Sequence, residues 1–419
     1  MITAPNIYQD IATRTGGDIY IGVVGPVRTG KSTFIKKFME ELVIPNIENE
    51  YAKERSQDEL PQSASGKTIM TTEPKFIPEK AVELTVGKNV NFRVRLIDCV
   101  GYVVPTALGH TENDQPRMVN SPWSEEQIPF DKAAEIGTQK VIKEHSTIGL
   151  VVTTDGSIGD IPRDDYVESE RRVVKELKEI NKPFIVILNT VYPKSEKAKE
   201  LSASLAEEYG VPVMPVDCLS LSAGKINGIM QKILFEFPVK EIKVSLSDWV
   251  AKLPRDHYIK SALIETIGSA AENISKIRET DSAAETIAQN EDVTACEITG
   301  VFPGKGSVSV SVESPKALFY KVLGETTGIE VKDDGDLITV MSELARSKNR
   351  CEKLAEALDE AEARGYGIVT PSGEQLSLEE PQIIKQGNRF GVKLKASAPS
   401  YHIIKADIET EVSPIVGSE

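Results

Sequence analysis

The chain has 419 residues, 40% of them hydrophobic and 27% charged. That length allows two or three domains with cores of their own, and the composition excludes wholesale disorder. With 49 Lys and Arg against 64 Asp and Glu, the formal net charge is -15, which excludes a global electrostatic pull toward nucleic acid or anionic lipid.

Over the first 240 or so residues, short apolar runs alternate with stretches of helical period. Ile19 to Gly25 reads as a buried strand, β-branched and ended by Gly-Pro, and Ser32 to Val43 as a helix with Phe34, Ile35, Phe38 and Leu42 at helical spacing. Further strands are predicted at Val94 to Ile97, Ile148 to Thr153, Phe184 to Leu188 and Val211 to Val216. Helices are predicted around Phe130 to Glu144, Tyr166 to Ile180 and Gly224 to Phe235. Unbroken apolar strands alternating with helices predict an α/β domain with a mostly parallel sheet covered on both faces.

After Pro238 the texture changes, so the chain divides into residues 1–239 and an α+β domain over 240–419. Asp256 to Glu279 carries one apolar stripe and reads as a single long helix facing a core or another subunit. Val308, Val310 and Val312 alternate with serines as a half-exposed strand. Ser314-Pro315 opens a helix, and Asp336 to Ala363 forms a long one. Phe390, Val392 and Leu394 alternate before Ala398-Pro399-Ser400, and His402, Ile404, Ala406 and Ile408 after it, which predicts an antiparallel hairpin across that turn. No internal repeat is present.

Four cysteines (Cys99, Cys218, Cys296, Cys351) and four histidines (His110, His145, His257, His402) are scattered, so neither a disulfide framework nor a transition-metal site is expected. The first residues lack a basic-then-apolar signal pattern, and no run approaches the ~18 apolar residues of a membrane span. A cytoplasmic location is the expectation.

Gly25-Pro26-Val27-Arg28-Thr29-Gly30-Lys31-Ser32 matches G-x-x-x-x-G-K-[ST], between a predicted strand and a predicted helix. Glycines at both ends let the backbone curl so that successive N–H groups point at phosphate oxygens. Lys31 brings a compact cation to the β- and γ-phosphates, and Ser32 offers a hydroxyl to Mg²⁺. Thr33 continues the first turn of a helix whose positive end faces the same oxygens. Arg95-Leu96-Ile97-Asp98-Cys99-Val100-Gly101 supplies a second element, with Asp98 leaving a strand as the carboxylate for Mg²⁺ and Gly101 meeting the γ-phosphate. Between them, Gly66 to Pro74 carries Thr71 and Thr72. These are candidates for the loop threonine that closes over Mg²⁺ and the γ-phosphate, although the same residues also suit a threonine-rich strand.

Two positions depart from a GTPase. After the strand at Phe184 to Leu188, Asn189 is kept at the base-side position. Thr190 and Tyr192 stand where [NT]-K-x-D has Lys and the guanine-reading Asp, so ATP is expected over GTP. Tyr102 follows Gly101 where Ras-like enzymes orient water with Gln, so slow turnover is expected. Arg28 is either a cationic stabiliser or a solvent-facing residue.

The stretches TRTGGDIYIGVVGPVRTGKSTFIKKFME, QDELPQSASGKTIMTTEPKF, LIDCVGY, EHSTIGLVVTTDGSIGD and EEPQIIKQGNRFGVKLKASAPS closely resemble the stage IV sporulation protein A family over essentially the whole chain. The resemblance implies a P-loop ATPase descended from translation-factor-like GTPases. It further implies that hydrolysis drives self-assembly into static filaments forming the basement layer of the spore coat, on the mother-cell side of the forespore surface. A small amphipathic membrane-anchoring peptide would tether the polymer, and other spore coat morphogenetic proteins would be recruited onto it. By the family pattern, Lys31 and Ser32 belong to Walker A, Asp98 to the Walker B position, and Thr71 and Thr72 to the sensor threonines. The family's small carboxy-terminal domain is expected to be missing, because the chain stops at Ser418-Glu419, about where it would begin. A regulatory GTPase and a nucleotide-binding scaffold without turnover are the alternatives.

Overall fold

The computed structural model describes residues 4–61, 73–86, 90–107, 111–112, 115–121, 123–371, 373–387 and 389–412. The chain forms two compact units, Met1–Ser314 and Pro315–Glu419.

The first unit is built on a six-stranded sheet: β1 (Asp18–Val24), β2 (Lys75–Val86), β3 (Val90–Asp98), β4 (Ile148–Thr154), β5 (Phe184–Asn189) and β6 (Val213–Val216). Their spatial order is β6-β5-β4-β1-β3-β2, parallel throughout except for the antiparallel β2–β3 pair at one edge. Every residue of β4 and β5 is buried, because alternate side chains serve opposite cores. Ile185 and Ile187 join one core; Phe184, Val186 and Leu188 join the other. The first core is closed by α1 (Ala4–Thr15), α2 (Lys31–Phe38) and α7 (Ala223–Phe235), with Ala52 of α3 (Glu50–Asp58) packed against it. The second lies under α5 (Val167–Glu179), α6 (Glu196–Tyr209) and the Val141–His145 turn that continues α4 (Phe130–Lys140). Crossovers place the carboxyl ends of β1, β3, β4, β5 and β6 along one rim, where a mostly parallel sheet binds its ligands.

The same compact unit continues past residue 239, into β7 (Glu241–Leu246), α8 (Tyr258–Glu272), α9 (Thr280–Ala288), β8 (Ala295–Phe302) and β9 (Ser307–Glu313). β7 runs parallel to β9, and β8 antiparallel to it. The predicted single helix over Asp256 to Glu279 is broken. α8 ends at Glu272, and the carboxylate of Glu279 accepts hydrogen bonds from the backbone N–H groups of Ser275 (2.9 Å) and Lys276 (3.0 Å). That side chain caps a new turn, and local capping outweighs the apolar period.

In the second unit, α10 (Lys316–Thr327) is followed by α11 (Asp334–Arg364), whose first turn is capped by the Asp333 carboxylate accepting from Asp336 N–H at 2.9 Å. The hairpin predicted across Ala398-Pro399-Ser400 does not form. Tyr401–Ile404 pairs with Tyr366–Val369, while Arg389–Lys393 pairs with Gln382–Gln386. The tight turn sits instead at Gly387, with φ 65°, a conformation glycine adopts without strain. Among the described residues no helix is long and apolar enough to cross a membrane.

Candidate functional site: a phosphate-binding loop at the sheet rim

β1 leads directly into Gly25, and the loop to Lys31 folds back over the rim. Its shape depends on glycine at three places. Gly25 has φ 140°, and a Cβ there would lie 2.2 Å from the Val152 carbonyl oxygen of β4. Gly30, at φ 94°, would press a Cβ to 2.2 Å from Asn189 Nδ2. Gly101, at φ 90°, would place one 2.2 Å from Gly25 O and 2.6 Å from Lys31 Nζ. Each position combines a left-handed backbone with backbone or polar atoms in the way, so no larger residue fits. Arg28 also adopts positive φ, at 62°. It is half-buried; desolvation pulls its pKa down, against the upward push of Tyr166.

The loop is tied on all sides. Thr29 is buried and its hydroxyl donates to Pro26 O at 3.0 Å. Val27 N–H donates to Tyr102 O at 2.9 Å, which latches the segment after Gly101 onto the loop. Asn189 Nδ2 donates to Thr29 O at 3.0 Å, while its Oδ1 accepts from Cys218 N–H at 3.1 Å. Both ends of the Asn189 amide thus hold backbone, and this side chain positions the loop.

Lys31 opens α2, is 5% exposed, and donates to Pro26 O at 2.6 Å and Gly25 O at 3.4 Å. Burial draws its pKa down, opposed by Cys99 and Asp98. Ser32 Oγ donates to Asp98 Oδ2 at 2.7 Å across the gap between α2 and the end of β3. Asp98 is 4% exposed, and its Oδ1 has no hydrogen-bond partner among the described residues. Burial raises its pKa, with Ser32 and Lys31 pulling the other way. Thr33 is half-buried on the first turn of α2.

The structure therefore brings Gly25, Pro26, Val27, Arg28, Thr29, Gly30, Lys31, Ser32, Asp98, Gly101 and Asn189 to one place. Thr71 and Thr72 lie outside the described residues. Among the described residues no cluster of three His, Cys, Asp or Glu side chains could hold a metal unaided. A hydroxyl joined to a carboxylate with an unpartnered buried oxygen does suit Mg²⁺, which binds through one or two protein oxygens and completes its shell with water and phosphate.

Two features were not read from the sequence. The Tyr102 side chain is buried against α5: its hydroxyl donates to Glu176 Oε2 at 2.6 Å, and Arg172 stacks on its ring at 4.5 Å. The Gly-Tyr step at 101–102 was the only signal of it. Between α5 and β4, Glu170 is fully buried and hydrogen-bonded by Arg163, Tyr209 and Thr153. Thr153 lies 17 positions and Tyr209 39 positions from Glu170, and no local pattern marks the group.

The sheet order, the loop from β1 to α2 and the carboxylate at the end of β3 define a P-loop nucleoside triphosphatase. Residues 2–238 match the family model for the stage IV sporulation protein A ATPase domain, and residues 239–417 match the model for that family's middle domain. Similar proteins are the stage IV sporulation protein A of Clostridioides difficile (strain 630), 52% identical, that of Bacillus anthracis, 49%, and that of Bacillus subtilis (strain 168), 47%. Each alignment spans 414 residues, 99% of this chain and 84% of the relative. The chain belongs to the stage IV sporulation protein A family, and its amino-terminal module is an ATPase domain.

Proposed function

We propose that this sporulation ATPase binds Mg²⁺–ATP in the Gly25–Ser32 loop and couples its hydrolysis to self-assembly on the forespore surface. The observation that carries the site is the buried Ser32–Asp98 hydrogen bond beside Lys31 and Gly101. Lys31 would neutralise β- and γ-phosphate charge, and loop N–H groups would hold the phosphate oxygens. Ser32 and Asp98 would hold the metal, together with Thr72 on the family pattern. Mg²⁺ supplies charge neutralisation at the transferring phosphoryl group. Thr71 and Thr72 take the roles of sensor threonines in this reading. The Tyr102 hydroxyl is committed to Glu176, so it does not replace the water-orienting Gln, and turnover is expected to be slow.

The assembly step rests on family membership. Loss of γ-phosphate contacts can reshape a switch segment irreversibly in one direction, and a reshaped surface can join copies head to tail. The product would be a filamentous basement layer of the spore coat, serving as a platform for other spore coat morphogenetic proteins. A net charge of -15 disfavours direct contact with anionic lipid, which supports an amphipathic peptide as the tether. The test is hydrolysis of ATP and GTP side by side, with Mg²⁺ and with chelator, on the wild type and Lys31→Ala. Turnover of ATP that needs Mg²⁺ and is lost in Lys31→Ala supports the site. A preference for GTP, or binding without turnover, refutes it. Polymerisation at the normal rate with a non-hydrolysable ATP analogue refutes the coupling.

A further inference from the structure

β2 ends the six-stranded sheet, and among the described residues no strand pairs with its outer edge. An open edge is a template for another strand. Beside it, α3 and β2 border a groove of about 720 Å³. Its floor is apolar: Ile47 and Val82 are buried members of the first core, and Ala52 packs against that core. Tyr51 stands at the groove with 85% of its surface in solvent. Glu48 and Glu83 line it as exposed acids, whereas Arg55 is answered by Glu59, 3.2 Å away. Exposed Glu50, Glu54 and Glu79 outweigh Lys53 and Lys80 on the same two elements, so the surroundings of the groove are acidic.

The second unit carries the opposite chemistry. Its strands Gln382–Gln386 and Arg389–Lys393 form a hairpin of two strands, an arrangement with little stability of its own in water. Between Gln382 and Lys395 stand Lys385, Arg389, Lys393 and Lys395 and no acid, on a chain whose net charge is -15. Lys395 is answered by Glu379 at 2.6 Å, from outside that stretch. Ile383 and Val392 are cross-strand partners and share a face, which Leu394 continues two residues on. These three are 77%, 65% and 68% exposed. Single exposed apolar residues are ordinary; three that adjoin on one face of a thin hairpin, among cations, mark an interaction surface.

We propose that the hairpin of one copy docks on the α3–β2 groove of a second copy, and that repetition of this contact builds the polymer. The proposal rests on the self-assembly reading and names its two surfaces. A strand added to the edge of β2 continues the sheet, and its faces continue those of β2. Val82 and Leu84 face the core while Glu83 points the other way. The apolar face of the hairpin then covers the groove, bringing Lys385 toward Glu48, and the face that carries Lys393 meets Glu83. Such a contact joins two different patches and leaves one of each open at the ends, so it propagates head to tail. Anionic lipid would attract the same cations, but it offers nothing to an open strand edge, and the acidic chain opposes it. α3 and β2 are also the two elements that the segment carrying Thr71 and Thr72 connects, which sets this surface next in the chain to the proposed sensors.

The experiment follows assembly of the full chain with Mg²⁺–ATP by light scattering and sedimentation, with ATP affinity measured by calorimetry on the same samples. The groove variant is Glu48→Lys/Glu83→Lys and the hairpin variant Lys385→Glu/Lys393→Glu. Each alone is expected to assemble at least about 10-fold more slowly than the wild type, because each sets like charges against one another, while ATP affinity is unchanged. An equimolar mixture of the two is expected to recover assembly, since both hairpin–groove pairs in it are again complementary. Recovery on mixing requires folded variants and a contact between copies; a hairpin held within its own chain does not respond to the mixture. Ile383→Ser/Val392→Ser, which leaves the charge as it is, should slow assembly as well. Wild-type assembly in either charge variant, or no recovery on mixing, overturns the contact. A hairpin variant that loses binding to phosphatidylglycerol vesicles yet assembles normally assigns the hairpin to lipid and overturns it too. If the wild type itself does not assemble with ATP, the self-assembly reading falls and the contact falls with it.

Discussion

Glu170 lies on α5 at 0% exposure, against the Thr153 hydroxyl near the end of β4. Arg163 Nη1 sits 2.5 Å from its Oε2, and Nη2 donates to Oε1 at 2.9 Å. The Tyr209 hydroxyl donates to Oε1 at 2.5 Å, and the Thr153 hydroxyl of β4 donates to Oε2. Replacing Glu170 by Ala would remove the carboxylate from a guanidinium only 17% exposed, leaving it the Thr153 hydroxyl oxygen, 3.1 Å away, as acceptor. Breaking a buried ion pair from one side costs about 3–5 kcal/mol. Because Arg163 keeps some access to water, the lower end applies, about 3 kcal/mol, equivalent to roughly 100-fold in an equilibrium constant. The assay is native-state hydrogen exchange on the amides of β4 and α5, whose protection should fall by about that factor. Glu170→Leu combined with Arg163→Met should cost much less than Glu170→Ala, because exchanging both charges for packed apolar groups is close to neutral. A fall in protection of less than about fivefold in Glu170→Ala, or a double variant as unprotected as the single one, would refute the assignment of this network as a clamp.

Gly101→Ala should lower ATP turnover at least tenfold, because its Cβ would meet Gly25 O at 2.2 Å and Lys31 Nζ at 2.6 Å; steady-state kinetics checks this, and wild-type kcat contradicts it. At pH 7 a maleimide should label exposed Cys351 first, leaving Cys99 and Cys218 protected until unfolding, since burial raises their pKa to about 11 and about 12. Glu279 is pushed up by burial and pulled down further by the amides of Ser275 and Lys276, so its folded pKa lies below its unfolded one. Its contribution to stability is complete above the unfolded value of 4.5 and is lost as pH falls through the folded value; in Glu279→Gln, melting temperatures between pH 6 and pH 3 should show a shallower acid limb. A chain ending at residue 238 should melt below one ending at residue 314, because the partners of buried Glu236 would be removed, and equal melting temperatures would contradict this.

The central sheet was legible because β4 and β5 are buried on both faces, and a strand in that setting is an uninterrupted apolar run whatever surrounds it. The Gly25–Ser32 loop was legible for a related reason: φ 140° at Gly25 and φ 94° at Gly30 restrict the residue type, so the backbone writes itself into the sequence. Legibility failed where a side chain acts across the chain. The apolar period from Ile259 to Ile277 runs straight through the Glu279 cap, and periodicity carries no information about that hydrogen bond. The strand at Arg389–Lys393 was assigned the wrong partner because alternation identifies a strand but not its neighbour, and Gly387 competed with Pro399 as the turn. Tyr102 was noticed as a missing Gln; its engagement with Glu176, 74 positions away, depends on the packing of α5.

The family models meet at 238/239, yet the compact unit runs to Ser314. Glu236, at 1% exposure, belongs to the ATPase module, while its cations Lys276 and Arg278, each 2.6 Å away, belong to the middle module. Burial raises the pKa of Glu236, with Lys276 and Arg278 opposing, so its charge in the fold depends on residues beyond the boundary. The backbone repeats the connection: Ile277 N–H donates to Phe237 O at 3.2 Å, and Pro238 pairs with Lys276 in an antiparallel bridge. From the other end of the chain, Arg14 of α1 donates to Pro238 O and lies over the Phe237 ring at 5.1 Å. Ile277 is buried in the same core as β1 and α7. A boundary crossed by a buried carboxylate, a shared core and paired backbone lacks the sparse contacts of an interdomain linker, so residues 239–314 belong to the compact unit of the ATPase sheet.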